Sequence, residues 1–352
     1  MLDDLRTRLH SFRSVDLPAA NGWTLGIDPG YLGDLLAMWE VDYDWRQVEA
    51  RIRSLPWVVA RHEHKALRAV HQRAAEPTAV AVVLLHGWPD SVMRFEKVLP
   101  LLTDLHVVIP ALPGYPFALP TTGAAMSAAE MATAVAILMA ELGYEQYVVS
   151  AGDVGTDVAE SLAAVNPDRV VALHLTDLSH HHARTNPPAD LSPVEQAYLE
   201  RVHRWHAAEG GYNHQQSTRP NTLAVGLGDS PAGLAAWIVE KLYQWSDCSG
   251  DLETVFTRVD VLNWVTAYWV TGAIGTSFAP YAHREPLPAP ITPPTAFTMF
   301  PRNMVSAPRE YAARFFDIRS WAEASGGGHF DAWERPADYV AGIRAAVTHR
   351  KH

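Results

Sequence analysis

Cysteine is nearly absent from this chain of 352 residues, in which Cys248 stands alone. A single thiol cannot form a disulfide within the chain, and no Cys/His run has the spacing of zinc ligands. We therefore predict a protein of the reducing cytoplasm that holds no metal. Basic residues are also in short supply, since 28 Lys and Arg stand against 39 Asp and Glu, for a formal net charge of −11. Such an acidic chain is not expected to bind nucleic acid.

Long hydrophobic runs are missing as well. No stretch reaches the roughly 18 uninterrupted apolar residues of a membrane span, so we expect none. Residues 1–6 lack the basic-then-apolar order of a signal peptide. Apolar residues still make up 48% of the chain and charged residues 19%, which excludes a disordered protein. The length fits two units or one elaborated α/β domain, and assembly as a homodimer is compatible with it.

Short Val-rich runs recur along the middle of the chain and are typical of strands buried on both faces of a parallel sheet. They cover residues 79–85, 105–109, 147–150 and 170–175, and two further strands are predicted at 295–300 and 317–321. A helix separates two of them, because Ser127 and Glu130 form a capping box and Gly143 ends the Ala-rich run. Strands that alternate with helices predict a mostly parallel, doubly wound α/β sheet.

Two regions fall outside this pattern. Residues 1–75 read as an N-terminal helical extension, with helices that start at Asp28 and near Trp45. Residues 183–290 carry helix signals and no strand signal, which predicts a helical cap over the sheet. The α/β core is then expected in residues 76–182 and 291–352.

One turn has the sequence of a nucleophile elbow. Asp153 is flanked by Gly152 and Gly155, and it stands between a predicted strand and a predicted helix. Small neighbours allow a strained turn to present one side chain to a site. A carboxylate is ionised near neutral pH and attacks without a base, so Asp153 suits attack on an sp³ carbon followed by hydrolysis of the resulting ester. The alternative is an aspartate that only caps the following helix.

Two further loops complete the expected machinery. His86-Gly87-Trp88-Pro89 follows a buried strand, where this fold supplies oxyanion-hole N–H groups; we expect those of Trp88 and Val154, with His86 structural. His329 follows the glycines 326–328 between the last strand and the last helix, which is the place of a general base. A surface histidine is the alternative for His329.

Together these motifs resemble the microsomal-type epoxide hydrolases. The resemblance rests on residues 3–55, on HGWP at 86–89, on the Gly-Asp-x-Gly elbow at 152–155 and on GGHF at 327–330. It implies an α/β-hydrolase fold with an N-terminal extension and a helical cap, no cofactor, and an epoxide and water as reactants. It also implies two cap tyrosines, Tyr212 and Tyr281, that hydrogen-bond to the ring oxygen; plain aromatic packing is the alternative for both.

The chain departs from the family at the triad acid. The family carries Glu or Asp in the segment that reads Phe300-Pro301-Arg302-Asn303 here. Asparagine can orient a histidine but cannot stabilise an imidazolium. Some α/β-hydrolases place the acid after the preceding strand, and we therefore assign it to Asp177, with Asn303 as a neutral partner. Other options stay open, namely Asn303 as the sole orienter or an acid at Glu310, Asp317 or Asp331.

The predicted reaction is hydrolysis of an epoxide to a vicinal diol through an ester on Asp153. Two alternatives stay open, a haloalkane dehalogenase-like hydrolase and a degenerate hydrolase that binds without turnover. Val154 stands where related dehalogenases use an indole N–H for the halide, which disfavours the first. The adjacent histidines 180–182 are expected to form a loop without a metal. The composition suits a high-GC bacterium, in a biosynthetic or a detoxifying role.

Overall fold

The structure is a computed structural model that describes residues 1–17, 22–62, 65–120, 126–185 and 187–351. Its centre is a sheet of eight strands in the order β1-β2-β4-β3-β5-β6-β7-β8. The strands are β1 Trp57–His62, β2 Lys65–Gln72, β3 Ala81–Leu85, β4 His106–Pro110, β5 Tyr147–Ala151, β6 Val170–Leu175, β7 Ile291–Met299 and β8 Phe316–Glu323.

The sheet is parallel from β4 to β8 and is covered on both faces. Alternate residues of β3 enter different cores: Val83 and Leu85 pack with helices on one face, whereas Val82 and Leu84 pack on the other. Because every residue of this strand is buried, its sequence is a continuous apolar run instead of an alternating one. The predicted doubly wound α/β fold is therefore confirmed.

The expectation of a helical N-terminal extension is incomplete. After three helices, the extension forms the hairpin β1–β2, which joins the edge of the main sheet antiparallel to β4. The alternation of β1 is weak, since Val58 and Val59 are adjacent and neither is fully buried. The strands β1 and β2 form because they pair with neighbouring strands, and the local sequence does not reveal that pairing.

The helices divide into four groups along the chain. Those of the extension are α1 Leu2–His10, α2 Pro29–Val41 and α3 Trp45–Ser54. Those between the core strands are α4 Ala128–Glu141, α5 Val154–Val165 and α6 His180–Arg184. The next group is α7 Pro193–Glu209, α8 Gly211–Thr218, α9 Pro220–Asp229, α10 Pro231–Trp245, α11 Arg258–Thr271 and α12 Ala279–Ala282. The last three are α13 Arg309–Ala312, α14 Asp331–Glu334 and α15 Pro336–His349.

Local signals account for where these helices begin. Asp28 accepts the backbone N–H of Tyr31 at the start of α2, and capping boxes open α4 at Ser127 and α7 at Ser192. The histidines expected as a loop instead form the short helix α6, capped by Ser179.

The extension packs directly against the helices α7–α12, which we call the cap. Arg8 of α1 binds the carboxylate of Asp229 at 2.7 Å, and Trp23 stacks on Tyr243 of α10 with ring centroids 4.0 Å apart. Within the described residues, no single helix has the length and hydropathy to cross a membrane; α9 and α10 pass that test only as a pair, bent by 115°.

Candidate active site

Asp153 lies in a strained turn between β5 and α5. Its φ of 57° is a left-handed value that non-glycine residues rarely adopt and that costs roughly 1–3 kcal/mol. The turn is possible because its neighbours lack side chains: a Cβ on Gly155 would lie 2.5 Å from the carbonyl oxygen of Leu85, and one on Gly152 would lie 2.6 Å from Oγ1 of Thr176. The sequence pattern of the elbow therefore has a direct steric cause.

The loop after β3 holds one oxygen of this carboxylate. The backbone N–H of Trp88 donates to Oδ1 of Asp153 at 2.8 Å, and the N–H of Val154 also hydrogen-bonds to the carboxylate. These are the two groups that the sequence assigned to the oxyanion hole. Gly87 makes room for them, since a Cβ there would collide with the Asp153 side chain. His86 lies beneath the loop, where its Nε2 accepts the N–H of Leu112 at 3.2 Å.

His329 lies on the other side of the same carboxylate. Its Nε2 is 3.3 Å from Oδ2 of Asp153, and its side chain is 1% exposed. Its Nδ1 is 3.0 Å from Oδ1 of Asn303, whose oxygen also accepts the N–H of Met304 at 2.8 Å. An amide oxygen only accepts, so Nδ1 carries a proton and Nε2 faces the nucleophile.

Asp153 and His329 shift each other's pKa in opposite directions. Burial by itself would raise the pKa of the Asp153 carboxyl, but the neighbouring His329 and the N–H groups of Trp88 and Val154 bring it below its ordinary value. Burial would lower the pKa of His329, and the Asp153 carboxylate raises it above its ordinary value instead. The pair is therefore stabilised as carboxylate and imidazolium.

Asp177, which we expected to be the triad acid, has other partners in the structure. Its carboxylate accepts the backbone N–H of Asp153 at 2.9 Å and the hydroxyl of Thr156, so it braces the elbow and does not contact the imidazole. Burial raises its pKa to about 6. Asp177 and Asn303 follow the neighbouring strands β6 and β7, and the side chain that reaches Nδ1 of His329 is that of Asn303.

The three other acids that the sequence left open also have other partners. Glu310 accepts the hydroxyl of Ser192, Asp317 pairs with Arg319, and Asp331 pairs with Arg94 at 2.8 Å. Within the described residues, Asn303 is thus the residue whose side chain hydrogen-bonds to the ring of His329.

Tyr212 of α8 and Tyr281 of α12 both lie beside this centre and are buried. Their ring centroids are 6.1 Å apart, and the indole of Trp88 stacks on Tyr212 at 5.6 Å and meets the edge of Tyr281 at 6.2 Å. Burial and the nearby Asp153 charge raise the pKa of both phenols, so both keep their protons. They line the same cavity as Asp153.

Several residues of this cavity were not expected from the sequence, and His180 was expected only as part of a loop. His206, Asp157, Asn213 and Arg284 line the cavity together with His180, whose Nδ1 lies 3.2 Å from Nε2 of His206. These residues come from α5, α6, the cap and the segment after α12. No local motif marks them, because only the packing of the cap over the sheet brings them together.

A buried ion-pair network supports the backbone of the base loop. Arg94 binds Asp90 and Asp331 and donates to the carbonyl oxygen of His329 at 2.8 Å; all three of these charged side chains are about 1% exposed. The network joins the loop after β3 to the loop of the base. In the described part of the chain, no group of three or more His, Cys, Asp or Glu side chains is placed to hold a metal ion.

Known proteins share these features. Residues 1–95 match the family model described as the epoxide hydrolase N terminus, and residues 80–221 match that of the alpha/beta hydrolase fold. A protein of Stigmatella aurantiaca, provisionally named an epoxide hydrolase, is 33% identical over 97% of this chain and 81% of its own length. Epoxide hydrolase 1 of Oryctolagus cuniculus is 27% identical over 95% of this chain and 83% of its own.

Solved structures agree with the sequence matches. The epoxide hydrolase of Aspergillus niger superposes with a TM-score of 0.85 at 29% identity, over 99% of this chain and 93% of that one. The likeness thus covers the extension, the core and the cap together. This chain belongs to the epoxide hydrolase family of the α/β-hydrolase fold.

Proposed function

We propose that the protein hydrolyses epoxides to vicinal diols in two steps, through an ester on Asp153. In the first step Oδ2 of Asp153 attacks a ring carbon, because Oδ1 is already bound by the N–H of Trp88. A C–O bond forms to the carboxylate while the C–O bond of the ring breaks. The oxygen that leaves takes a proton from Tyr212 or Tyr281 and becomes the first hydroxyl.

In the second step water cleaves the ester. Nε2 of His329 takes a proton from water, and the hydroxide attacks Cγ of Asp153. The negative charge collects on Oδ1, where the N–H groups of Trp88 and Val154 stabilise it. Collapse of this intermediate releases the diol and the carboxylate, and His329 keeps the proton that it took from water. The net reaction adds one water to the epoxide.

Formation of the ester changes the protonation state of His329. In the free protein the Asp153 carboxylate raises the pKa of His329. Ester formation removes that charge, so the pKa of the imidazole falls and the proton on Nε2 passes to the phenolate that ring opening left. The histidine is therefore an imidazolium during attack and a neutral base afterwards.

One observation carries the proposal: a strained carboxylate, with one oxygen on an oxyanion-hole N–H and the other 3.3 Å from a buried histidine. The test replaces His329 by Gln. We expect ring opening to continue and ester hydrolysis to stall, so intact-mass spectrometry after incubation with styrene oxide should find protein plus one substrate mass. The matched control is His10→Gln, which changes an exposed histidine of α1 and should turn over fully.

An unmodified mass with full turnover in His329→Gln would remove His329 from the mechanism. No diol from the unaltered protein, with no ester in the variant, would favour the binder without turnover. Halide release from short bromoalkanes would favour the dehalogenase. A cytoplasmic protein without a metal or an organic cofactor also remains our proposal.

A further inference from the structure

One lysine of the cap is buried next to Tyr212. Lys241, in α10, is 7% exposed. Lysine is rarely buried to this extent unless it is paired, because the ammonium group loses its hydration. Its Nζ forms an ion pair with the carboxylate of the adjacent Glu240. This buried cation has no part in the two chemical steps proposed above.

Three aromatic rings lie close to the ammonium group. Nζ of Lys241 lies over the ring of Tyr212, 5.2 Å from its centroid. The ring centroids of Trp245 and Trp237 are 5.8 Å and 6.0 Å from the same atom. A cation within about 6 Å of an aromatic face is attracted by the ring quadrupole, and the attraction is stronger where water is excluded. The ammonium group therefore contributes to holding the ring of Tyr212 in place.

The surroundings of Tyr212 have to fix its ring, because the local backbone does little to restrain it. Tyr212 is the second residue of the short helix α8 and follows two glycines, which restrict the backbone less than other residues do. One turn further along α8, the side-chain oxygen of Gln216 accepts the indole N–H of Trp237 at 3.3 Å. Helix α10 thus supports α8 at two successive turns, through Lys241 at Tyr212 and through Trp237 at Gln216.

The second phenol has a different cation beside it. The guanidinium carbon of Arg284 is 5.5 Å from the ring centroid of Tyr281, but Arg284 is exposed. Water competes for an exposed cation, so its attraction to a ring is weaker than that of a buried one. A buried cation is therefore a feature of the surroundings of Tyr212 in particular.

We propose that Lys241 is a positioning residue for ring opening: its ammonium group holds the phenol of Tyr212 where the hydroxyl meets the oxygen of the epoxide. This inference rests on the proposed function. Lys241 is not among the described residues that line the cavity, so it acts through the ring of Tyr212. The attraction increases as the phenol gives up its proton, because the ring then becomes richer in electrons. The benefit therefore falls on ring opening.

Trp245 offers another route from Lys241 to the site. Its ring centroid lies 5.3 Å from that of His329, and its carbonyl oxygen accepts the backbone N–H of His329 at 2.7 Å. A lysine that only supported the packing of the cap would act through both rings and affect both chemical steps. A lysine that positions Tyr212 affects ring opening alone.

The experiment measures ester formation and ester decay separately, by rapid quench and intact-mass spectrometry with styrene oxide. Lys241→Met keeps a long unbranched side chain and removes its charge, and Glu240→Gln is added so that no carboxylate loses its partner. We expect this double variant to slow ester formation about tenfold and to leave ester decay unchanged. Lys241→Arg keeps a cation and should retain most of the rate. The matched control is Lys97→Met, which removes a cation 4.0 Å from the ring centroid of Trp333, outside the cavity, and should change neither step.

A second set of variants tests whether the effect passes through the hydroxyl of Tyr212. In a Tyr212→Phe background, removing the charge of Lys241 should not slow ester formation further, because the hydroxyl that Lys241 positions is gone. In a Tyr281→Phe background the loss should persist.

Each outcome decides one question. Ester formation at the unaltered rate after removal of the charge would overturn the inference and leave the proposed function intact. Equal slowing of both steps, or further slowing in the Tyr212→Phe background, would make Lys241 a structural residue of the cap. An arginine variant as slow as the methionine variant would overturn the role of the charge. If the unaltered protein gave no diol and His329→Gln no ester, the proposed function would fail and this inference with it.

Discussion

At the scale of single residues, the amide of Asn303 holds the ring of His329 at the position where the resemblance to the family led us to expect an acid. Asn303 fixes the tautomer of His329 by accepting from Nδ1, and its own orientation is fixed by the N–H of Met304. A neutral oxygen orients the ring but does not stabilise the imidazolium that forms during ester hydrolysis. In the proposed mechanism, ester hydrolysis is therefore the step that we expect asparagine to weaken.

We expect Asn303→Asp to speed ester hydrolysis by about tenfold, because a carboxylate beside Nδ1 makes Nε2 a stronger base. Asn303→Ala should slow the same step, and more than Asp177→Asn does, since Asp177 contacts the elbow. Single-turnover experiments that follow ester decay would measure this, with the exposed Asn221→Asp as control. If Asp177→Asn slows ester decay more than Asn303→Ala does, the acid role returns to Asp177.

In the proposed mechanism the two phenols act on ring opening, the first step. Replacing either Tyr212 or Tyr281 by Phe should slow ring opening about tenfold to a hundredfold and leave ester decay unchanged, because the phenols stabilise charge only on the oxygen that leaves. Rapid-quench measurement of ester formation separates the two steps. Tyr198→Phe is the control, since Tyr198 is a buried tyrosine that lies outside the cavity. Slower ester decay in Tyr212→Phe would contradict this division.

At the scale of elements, the elbow exists because β3, β5 and α5 approach one another at glycines. The N-terminus of α5 lies so close to the end of β3 that only Gly155 fits against the carbonyl of Leu85. The strain at Asp153 is thus held by the packing of three elements and not by the turn alone.

Gly155→Ala should therefore lower both stability and activity, since its Cβ would meet backbone that cannot move without shifting the sheet. We expect a loss of about 2 kcal/mol or more in the free energy of unfolding and little ester formation. Gly226→Ala in α9 is the matched control: its Cβ would meet nothing within 4 Å, and alanine should add about 1 kcal/mol of stability in a helix. Urea unfolding would compare the two; equal effects would show that the close approach is unimportant.

At the scale of the whole molecule, buried charges connect segments that are distant in sequence. Arg94 and Asp331 are 237 residues apart, and their network joins the oxyanion loop to the loop of the base. One oxygen of Asp90 and one of Asp331 have no hydrogen-bonding partner among the described residues. These carboxylates therefore depend strongly on Arg94.

Removing Arg94 should destabilise the fold because it leaves two buried carboxylates without a cation. We expect Arg94→Met to lower the free energy of unfolding by about 3–5 kcal/mol. Arg344→Met removes an exposed pair with Asp104 and should cost about 1 kcal/mol or less. Chemical denaturation of both variants measures the difference, and a small loss in Arg94→Met would mean that the network is dispensable.

The sequence by itself predicted the elbow aspartate, the histidine beside it and the two backbone N–H groups that the structure brings together. Their signals are local, because a side chain at a strained strand-to-helix turn needs small neighbours within a few residues, and these are visible in the chain. The parallel core could be predicted equally well, since strands buried on both faces have continuous apolar sequences.

Only the tertiary structure decided which side chain reaches His329. Asp177 and Asn303 both follow strands that end at one edge of the sheet. The direction in which each side chain points determines which of the two contacts the ring. The hairpin β1–β2 and the place of Arg284 in the cavity also depend on tertiary structure. Their neighbours come from distant segments, and no local pattern specifies how those segments pack.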